Sequence, residues 1–380
     1  MSAFEPGTAS AVVTAVDVRH VALPTGMKAV LLPNGHRIPT DLSVLVVRLT
    51  DGDQQVGYSL LWGQREPQLT LFEAAIRYLS PQLNGAHPDG LPHALARLDQ
   101  AAAFVGRAGV AAFAASGLEM ALQDLACRRA GVSLGRHLGQ RADHLRAYQT
   151  GLMLPTGGDE LVAEARAIYA RGIKAIKMIV GKPSVEEDVA RITQVRDALP
   201  ADARLMVDAL QRWDVPEALR AAEAFADLDL VWLEDPIDHL DLAGYEQLAR
   251  ESAVPIATGE ALFSVDQFAH LLDVGVPFVI AELERVGGIG PWCRIADMAA
   301  NSSSQMLSHI YPHVSAQLLS AGSRHPVWWE YVPWFDALID YGFDIADGHV
   351  KVPDVVGSGF EPSIAAMDRY ARTPWLSVDL

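Results

Sequence analysis

Six side chains able to move a proton or hold a cation recur along the second half of the chain. Each closes a short apolar run: Leu-Met-Val-Asp208, Val-Trp-Leu-Glu234, Pro-Ile-Ala-Thr-Gly-Glu260, Phe-Val-Ile-Ala-Glu282, Gln-Met-Leu-Ser-His309 and Val-Trp-Trp-Glu330, at intervals of 21 to 27 residues. Carboxylates held close together repel and raise one another's pKa unless a cation neutralises them. Asp208, Glu234 and Glu260, ending consecutive runs, are therefore an all-oxygen set suited to Mg2+, with water and substrate completing an octahedron. Glu282 and His309 come next, and a carboxylate beside an imidazole fixes its tautomer and raises its basicity, as a general base requires. Glu330 follows Trp328 and Trp329; a carboxyl kept neutral by such apolar neighbours can donate a hydrogen bond to developing negative charge. Each residue also has an ordinary alternative: an arginine partner or helix cap for one acid, a structural role for one histidine, plain packing for Trp-Trp. Their common register favours a site.

The elements that must position these groups are strands and helices in alternation. A strand, a helix and two loops consume about this many residues in a (β/α)8 barrel. Continuous apolar runs suit parallel strands buried on both faces. A charged group closing each run then lies at the C-terminal rim, where such barrels place their chemistry. The alternation begins near Arg146: Arg146 to Gly151 is the first predicted strand and Ile173 to Val180 the second. Helices are expected over Asp159 to Arg171, Val185 to Leu199, Pro216 to Phe225, Ala243 to Arg250, Val265 to Val274 and Pro291 to Asn301. On the second strand, period-two alternation puts Lys177 and Ile179 on one face and Lys174 and Met178 on the other. Lys177 then either faces the site or snorkels outward with Lys174.

Ahead of this region, Ala11 to Leu23, Leu42 to Leu49 and Gln55 to Leu61 read as strands, the last two joined at Asp51-Gly52, and residues 70–139 read as helical. The expected organisation is thus an N-terminal α+β domain over residues 1–140, an α/β barrel of (β/α)8 type over 141–350, and a C-terminal segment, 351–380. Pro24 to Thr40, with its glycines and prolines, reads as a long loop, of a length that in compact domains is either disordered or a functional lid. Asp336 to Asp347 is expected to cover the barrel mouth.

A formal net charge of −17 over 380 residues excludes non-specific binding to nucleic acid or an anionic membrane. It leaves room for an anionic substrate, since a bound cation inverts the local charge. Cys127 and Cys293, the only cysteines, provide neither a disulfide framework nor a cysteine zinc site. The first residues lack the order of a signal peptide, and Arg107 and Glu119 interrupt the most apolar stretch, Ala101 to Leu122, which reads as a packed helix pair. A cytoplasmic protein is expected.

Together these residues resemble the enolase superfamily, and within it the mandelate racemase subgroup (the mandelate racemase/muconate lactonizing enzyme branch). The resemblance runs nearly end to end. Ala121-Leu-Gln-Asp-Leu-Ala126 with Gly131 and Leu138-Gly139 is similar to the family's helix at the end of its capping domain. Gly172-Ile-Lys-Ala-Ile-Lys177 resembles its second-strand entry; Val207-Asp208, Leu233-Glu234-Asp-Pro236 and Thr258-Gly-Glu260 resemble its three metal-ligand segments. Arg285-Val-Gly-Gly-Ile289, Ser308-His309 and Trp329-Glu330-Tyr331 resemble the stretch after the dyad acid and the last two strand ends. The resemblance implies a modified TIM barrel capped by the N-terminal domain, to which residues 351–380 return, and Mg2+-assisted removal of a proton next to a carboxylate, giving an enediolate. It also implies a homo-oligomer, and a Pro24 to Thr40 loop that closes over a small carboxylate substrate. Lys28, His36, Arg37 and Arg65 are candidates to touch that substrate.

Three positions depart from the subgroup pattern. Where it has Lys-x-Lys, with the second lysine an acid/base catalyst, this chain has Lys177-Met178-Ile179. The dyad acid is Glu282 rather than Asp, and Leu210 stands where Asn is common. Racemisation by two bases needs one on each face of the enediolate, and with Ile179 only His309 is well placed. One face suffices for β-elimination, because the imidazolium can return its proton to the departing hydroxyl. The expected reaction is dehydration of a sugar acid to a 2-keto-3-deoxy acid. The alternatives are a racemase or epimerase of a 2-hydroxy acid using Lys177 as second base, and a non-catalytic metal-binding protein on the same scaffold.

Overall fold

The computed structural model describes residues 11–25, 30–31, 37–38, 40–322 and 328–380. Strands Val13–Pro24, Asp41–Asp51 and Val56–Gly63 form an antiparallel meander, and Leu376–Val378 adds a fourth strand on the free side of Val13–Pro24. Helices Glu66–Leu79, Leu91–Val105 and Val110–Ala130 follow. By length and hydropathy Val110–Ala130 could cross a membrane, yet most of it is buried inside the protein. It is wedged between the meander and the barrel, and its charged residues are matched. Glu119 accepts from the backbone N–H groups of Ile289 (2.7 Å) and Gly290 (2.9 Å), and Asp124 from those of Tyr58 (2.8 Å) and Ser358 (2.6 Å). A buried carboxylate is tolerable only with such donors.

Among the described residues the barrel has eight parallel strands. Seven pair in sequence: His144–Gly151, Ala175–Ile179, Arg204–Asp208, Leu230–Glu234, Ile256–Thr258, Phe278–Ala281 and Gln305–Ser308. The eighth, Trp328–Tyr331, pairs in parallel with His144–Gly151. Between the seventh and eighth, closure comes from a side chain: the Glu330 N–H donates to Ser308 Oγ at 2.8 Å. The connecting helices begin at or within two residues of the positions read from sequence, Gly158–Ala170 and Val185–Ala198 among them. Side-chain caps set several starts, including Ser184 on the Glu187 N–H and a capping box between Asp214 and Glu217.

Inside the barrel lies a floor of Tyr148, Ala175, Met206, Trp232, Ala257, Phe278, Ile280, Leu307 and Trp328. Period-two alternation then dictates what stands above it. Lys177, Asp208, Glu234, Glu282, His309 and Glu330 each lie two residues beyond a floor residue of their own strand. Glu260 is the exception. Gly259 at φ +124° breaks the alternation, and a Cβ there would meet Ile280 O at 2.7 Å, so the turn requires glycine.

One expectation changes, and one falls largely outside the described residues. The segment after Asp336 does not cover the mouth: the Ile345–Ala346/His349–Lys351 hairpin pairs with the start of His144–Gly151, at the opposite end of the barrel, where Asp347 pairs with Lys174. Aromatic packing of Phe343 against Trp329 and Tyr331 draws the chain down the outside. The Pro24 to Thr40 loop lies largely outside the described residues, apart from a short pairing of Val30–Leu31 with Arg37–Ile38. Lys28, His36 and the side chain of Arg37 lie outside them.

Candidate active site at the mouth of the barrel

Asp208, Glu234 and Glu260 converge, with one oxygen from each lying within 4.8 Å of the others. Asp208 and Glu234 are buried, and Glu260 is partly open to the cleft. Trp232 Nε1–H donates to Glu234 Oε2 (2.8 Å) and the Leu210 N–H to Asp208 Oδ1 (2.8 Å), which fixes both carboxylates. Burial, and then mutual repulsion, pushes Asp208 up to about 7 and Glu234 up to about 8, although the Lys177 charge opposes this. Such a set suits a divalent cation: hard oxygen donors, close and excessively negative. Mg2+ binding requires these carboxylates ionised, so at pH 7 it is expected to release protons, with affinity rising through pH 7–8. Calorimetric titration in two buffers of different ionisation enthalpy checks this; identical heats would contradict it.

Lys177 faces inward and is fully buried, while Lys174 turns outward to Asp202 (2.9 Å). The outward-snorkelling alternative for Lys177 is therefore overturned. Its ammonium contacts Glu234 and lies 3.3 Å from Glu330 and 3.7 Å from Asp208. Burial works against its charge, but these acids overcome that and hold it protonated, well above the usual lysine value.

Across the mouth, His309 Nδ1 lies 3.1 Å from Glu282 Oε2 and Nε2 lies 2.9 Å from Glu260 Oε2. Two carboxylate partners leave both ring nitrogens as donors. Against the effect of burial, Glu260 and Glu282 raise the imidazole well above its usual value. Glu260 in turn is lowered to about 2, burial being outweighed by the His309 charge. Glu282 is locked by Arg285 Nε (3.0 Å) and by the indole Nε1–H of Trp62 (3.3 Å), which arrives from the end of strand Val56–Gly63.

Glu330 differs from its sequence reading. Burial favours a neutral carboxyl, but Lys177, His309, the Thr150 hydroxyl and the Ile310 N–H (2.7 Å) outweigh it and hold the group ionised, below its ordinary value. Trp329, moreover, points away from the site and donates its Nε1–H to Pro312 O (2.8 Å). Glu330 thus anchors Lys177 and is not a neutral donor.

The cleft above these groups measures about 410 Å³ and is also lined by Trp62, Gln64, Met153, Ile179, Leu210 and Trp334. Gln64 lines it, whereas Arg65 is exposed and does not. Sequence reasoning missed Thr150, Trp62, and the buried group of Glu284, which accepts from the Tyr311 hydroxyl and the Trp62 N–H (3.2 Å). Thr150 was findable, since it stands two residues after floor residue Tyr148. Trp62 and Tyr311 carry no local signal.

Comparison with known proteins identifies the family. The family model "Mandelate racemase / muconate lactonizing enzyme, N-terminal domain" matches residues 18–139, and "Enolase C-terminal domain-like" matches residues 160–366. L-talarate/galactarate dehydratase of Salmonella typhimurium is 34% identical over 325 residues, 84% of this chain and 81% of that protein. The 3,6-anhydro-alpha-L-galactonate cycloisomerase of Streptomyces coelicolor is 28% identical over 356 residues, 93% of this chain and 98% of that protein. The crystal structure of L-talarate dehydratase from Polaromonas sp., complexed with Mg and L-glucarate, matches at TM-score 0.87 with 32% identity, covering 97% of this chain and 99% of that one. With both halves matched and the fold superimposing nearly throughout, the chain belongs to the enolase superfamily, in its mandelate racemase/muconate lactonizing enzyme branch.

Proposed function

We propose that the protein dehydrates a sugar acid to the 2-keto-3-deoxy acid, with Mg2+ held by Asp208, Glu234 and Glu260 and with His309 as its single proton handler. One observation carries the reading: a Glu282-backed imidazole on one side of the mouth faces Ile179, not a second base, on the other. Relatives named as dehydratases of talarate/galactarate, arabinonate and gluconate support the substrate class.

When bound, the cation supplies positive charge that acidifies the proton next to the substrate carboxylate. Lys177 adds a fixed positive charge at the same end of the site. Glu330 and Thr150 keep that ammonium in place. With Glu260 committed to the cation, His309 Nε2 would lose its carboxylate partner, and the neutral imidazole would take the α-proton with Glu282 stabilising the imidazolium that forms. The C3–O bond then breaks, His309 returns the proton to the departing oxygen, and water leaves. Tautomerisation of the resulting enol gives the 2-keto-3-deoxy acid. Trp62, at the end of the third N-terminal strand, and Trp334, after the last barrel strand, pack edge to face at 5.5 Å and line the cleft, which limits water access.

The racemase alternative needs Lys177 as second base, and its contacts with Glu234 and Glu330 tie it as an ammonium. A panel of sugar acids offered to the Mg2+-loaded protein is expected to yield keto acid from at least one member. Racemisation of a 2-hydroxy acid at a comparable rate, with no keto acid formed, would defeat the proposal.

A further inference from the structure

Two of the departures from the subgroup pattern meet in space. Ile179 and Leu210 join Met153 and Leu154 in one apolar cluster, separate from the main core. Met153, Ile179 and Leu210 line the cleft. They stand at the ends of the first three barrel strands, whereas His309 follows the seventh. In a ring of eight strands the third and the seventh are opposite. A substrate held by its carboxylate near Asp208, Glu234 and Glu260, with its α-carbon toward His309, turns its other side to this wall.

The wall is held rigidly from behind. Arg191, buried and charge-paired with Asp188, donates to Ile179 O (2.8 Å), Leu152 O (3.3 Å) and Met153 O (3.3 Å). Asp188 also accepts from the N–H groups of Gly181 (2.8 Å) and Lys182 (2.9 Å). Leu210 adopts φ +49°, a left-handed conformation that asparagine takes far more readily than leucine. An apolar side chain is therefore kept there against the preference of the backbone. A hydroxyl pressed against these three side chains loses its water without gaining a partner from them.

We infer that Met153, Ile179 and Leu210 form a specificity wall that selects a hydroxy acid bearing hydrogen or alkyl, rather than hydroxyl, on the side turned away from His309. The preferred substrate class is then a deoxy-sugar acid, a refinement that rests on the dehydration reading. The wall residues are specificity determinants and do no proton chemistry.

The test compares kcat/KM of the Mg2+-loaded protein on matched acids, 2,3-dihydroxybutanoate against 2,3,4-trihydroxybutanoate, each stereoisomer separately. A preference of about tenfold to 200-fold for the methyl-bearing member is expected on the best-turned-over stereoisomer. Leu210→Asn and Ile179→Thr should each shrink that ratio. Equal turnover, or preference for the trihydroxy acid, in the unaltered protein overturns the wall while leaving dehydration intact. If no acid yields keto acid, the dehydration reading fails and binding decides the wall. Thermal stabilisation of the Mg2+-loaded protein by 2-hydroxybutanoate should then exceed that by 2,3-dihydroxypropanoate, and equal shifts overturn it.

Discussion

His309→Asn is expected to lower kcat by about 10²- to 10⁴-fold, the usual contribution of a positioned general base, while leaving substrate binding nearly unchanged. Asparagine preserves a polar group beside Glu282 but cannot hold a proton. The measurement is steady-state keto-acid release on the best substrate, with KM and the fold checked in parallel. Loss in KM alone would mean that the imidazole only positions substrate. A second readout separates the bases: exchange of the substrate α-hydrogen with solvent deuterium should vanish in His309→Asn. Persistent exchange would return Lys177 to the role of base and revive the epimerase reading.

Asp208→Asn is expected to reduce activity by at least about 10²-fold, as loss of one preorganised electrostatic contact to a reacting charge commonly does. Chelation of the unaltered protein should likewise abolish activity, and Mg2+ should restore it. The same substitution has an opposite effect on stability. Burial pushes the Asp208 carboxyl from an ordinary 3.8 up to about 7 in the folded, metal-free chain. A raised folded-state pKa means stability is present below pH 4 and lost as pH rises through 7. At pH 8 the metal-free protein therefore carries a penalty on the order of a few kcal/mol that asparagine relieves. Metal-free Asp208→Asn should melt above the metal-free parent at pH 8, and the two should converge below pH 4. A variant less stable at pH 8 would show that Asp208 is tied into the fold by its partners rather than strained by them.

The part of the site legible in the sequence is the part governed by strand period. Asp208, Glu234, Glu282, His309 and Glu330 close apolar runs because each stands two residues above a buried floor residue, and both halves of that pattern are local. Lys177 obeys the same rule, but a lysine's long stem permits an outward path, so only packing decided its direction. The ionisation of Glu330 was not readable, because its determinants, Lys177, Thr150 and the Ile310 N–H, come from three other segments. Trp62 reaches Glu282 across a separation of 220 residues, and no spacing announces such a contact. The course of the chain after Asp336 was misread for a similar reason: Phe343 finds its aromatic partners on strand Trp328–Tyr331.

Because the aromatic floor closes on itself beneath the rim, the tools of this enzyme can be exchanged without rebuilding its foundations. Replacing a rim group leaves the wedge of Tyr148, Trp232 and Trp328 standing, because those three rings pack on one another. Replacing Trp232 is a different matter: it removes both a keystone and the indole that steadies Glu234.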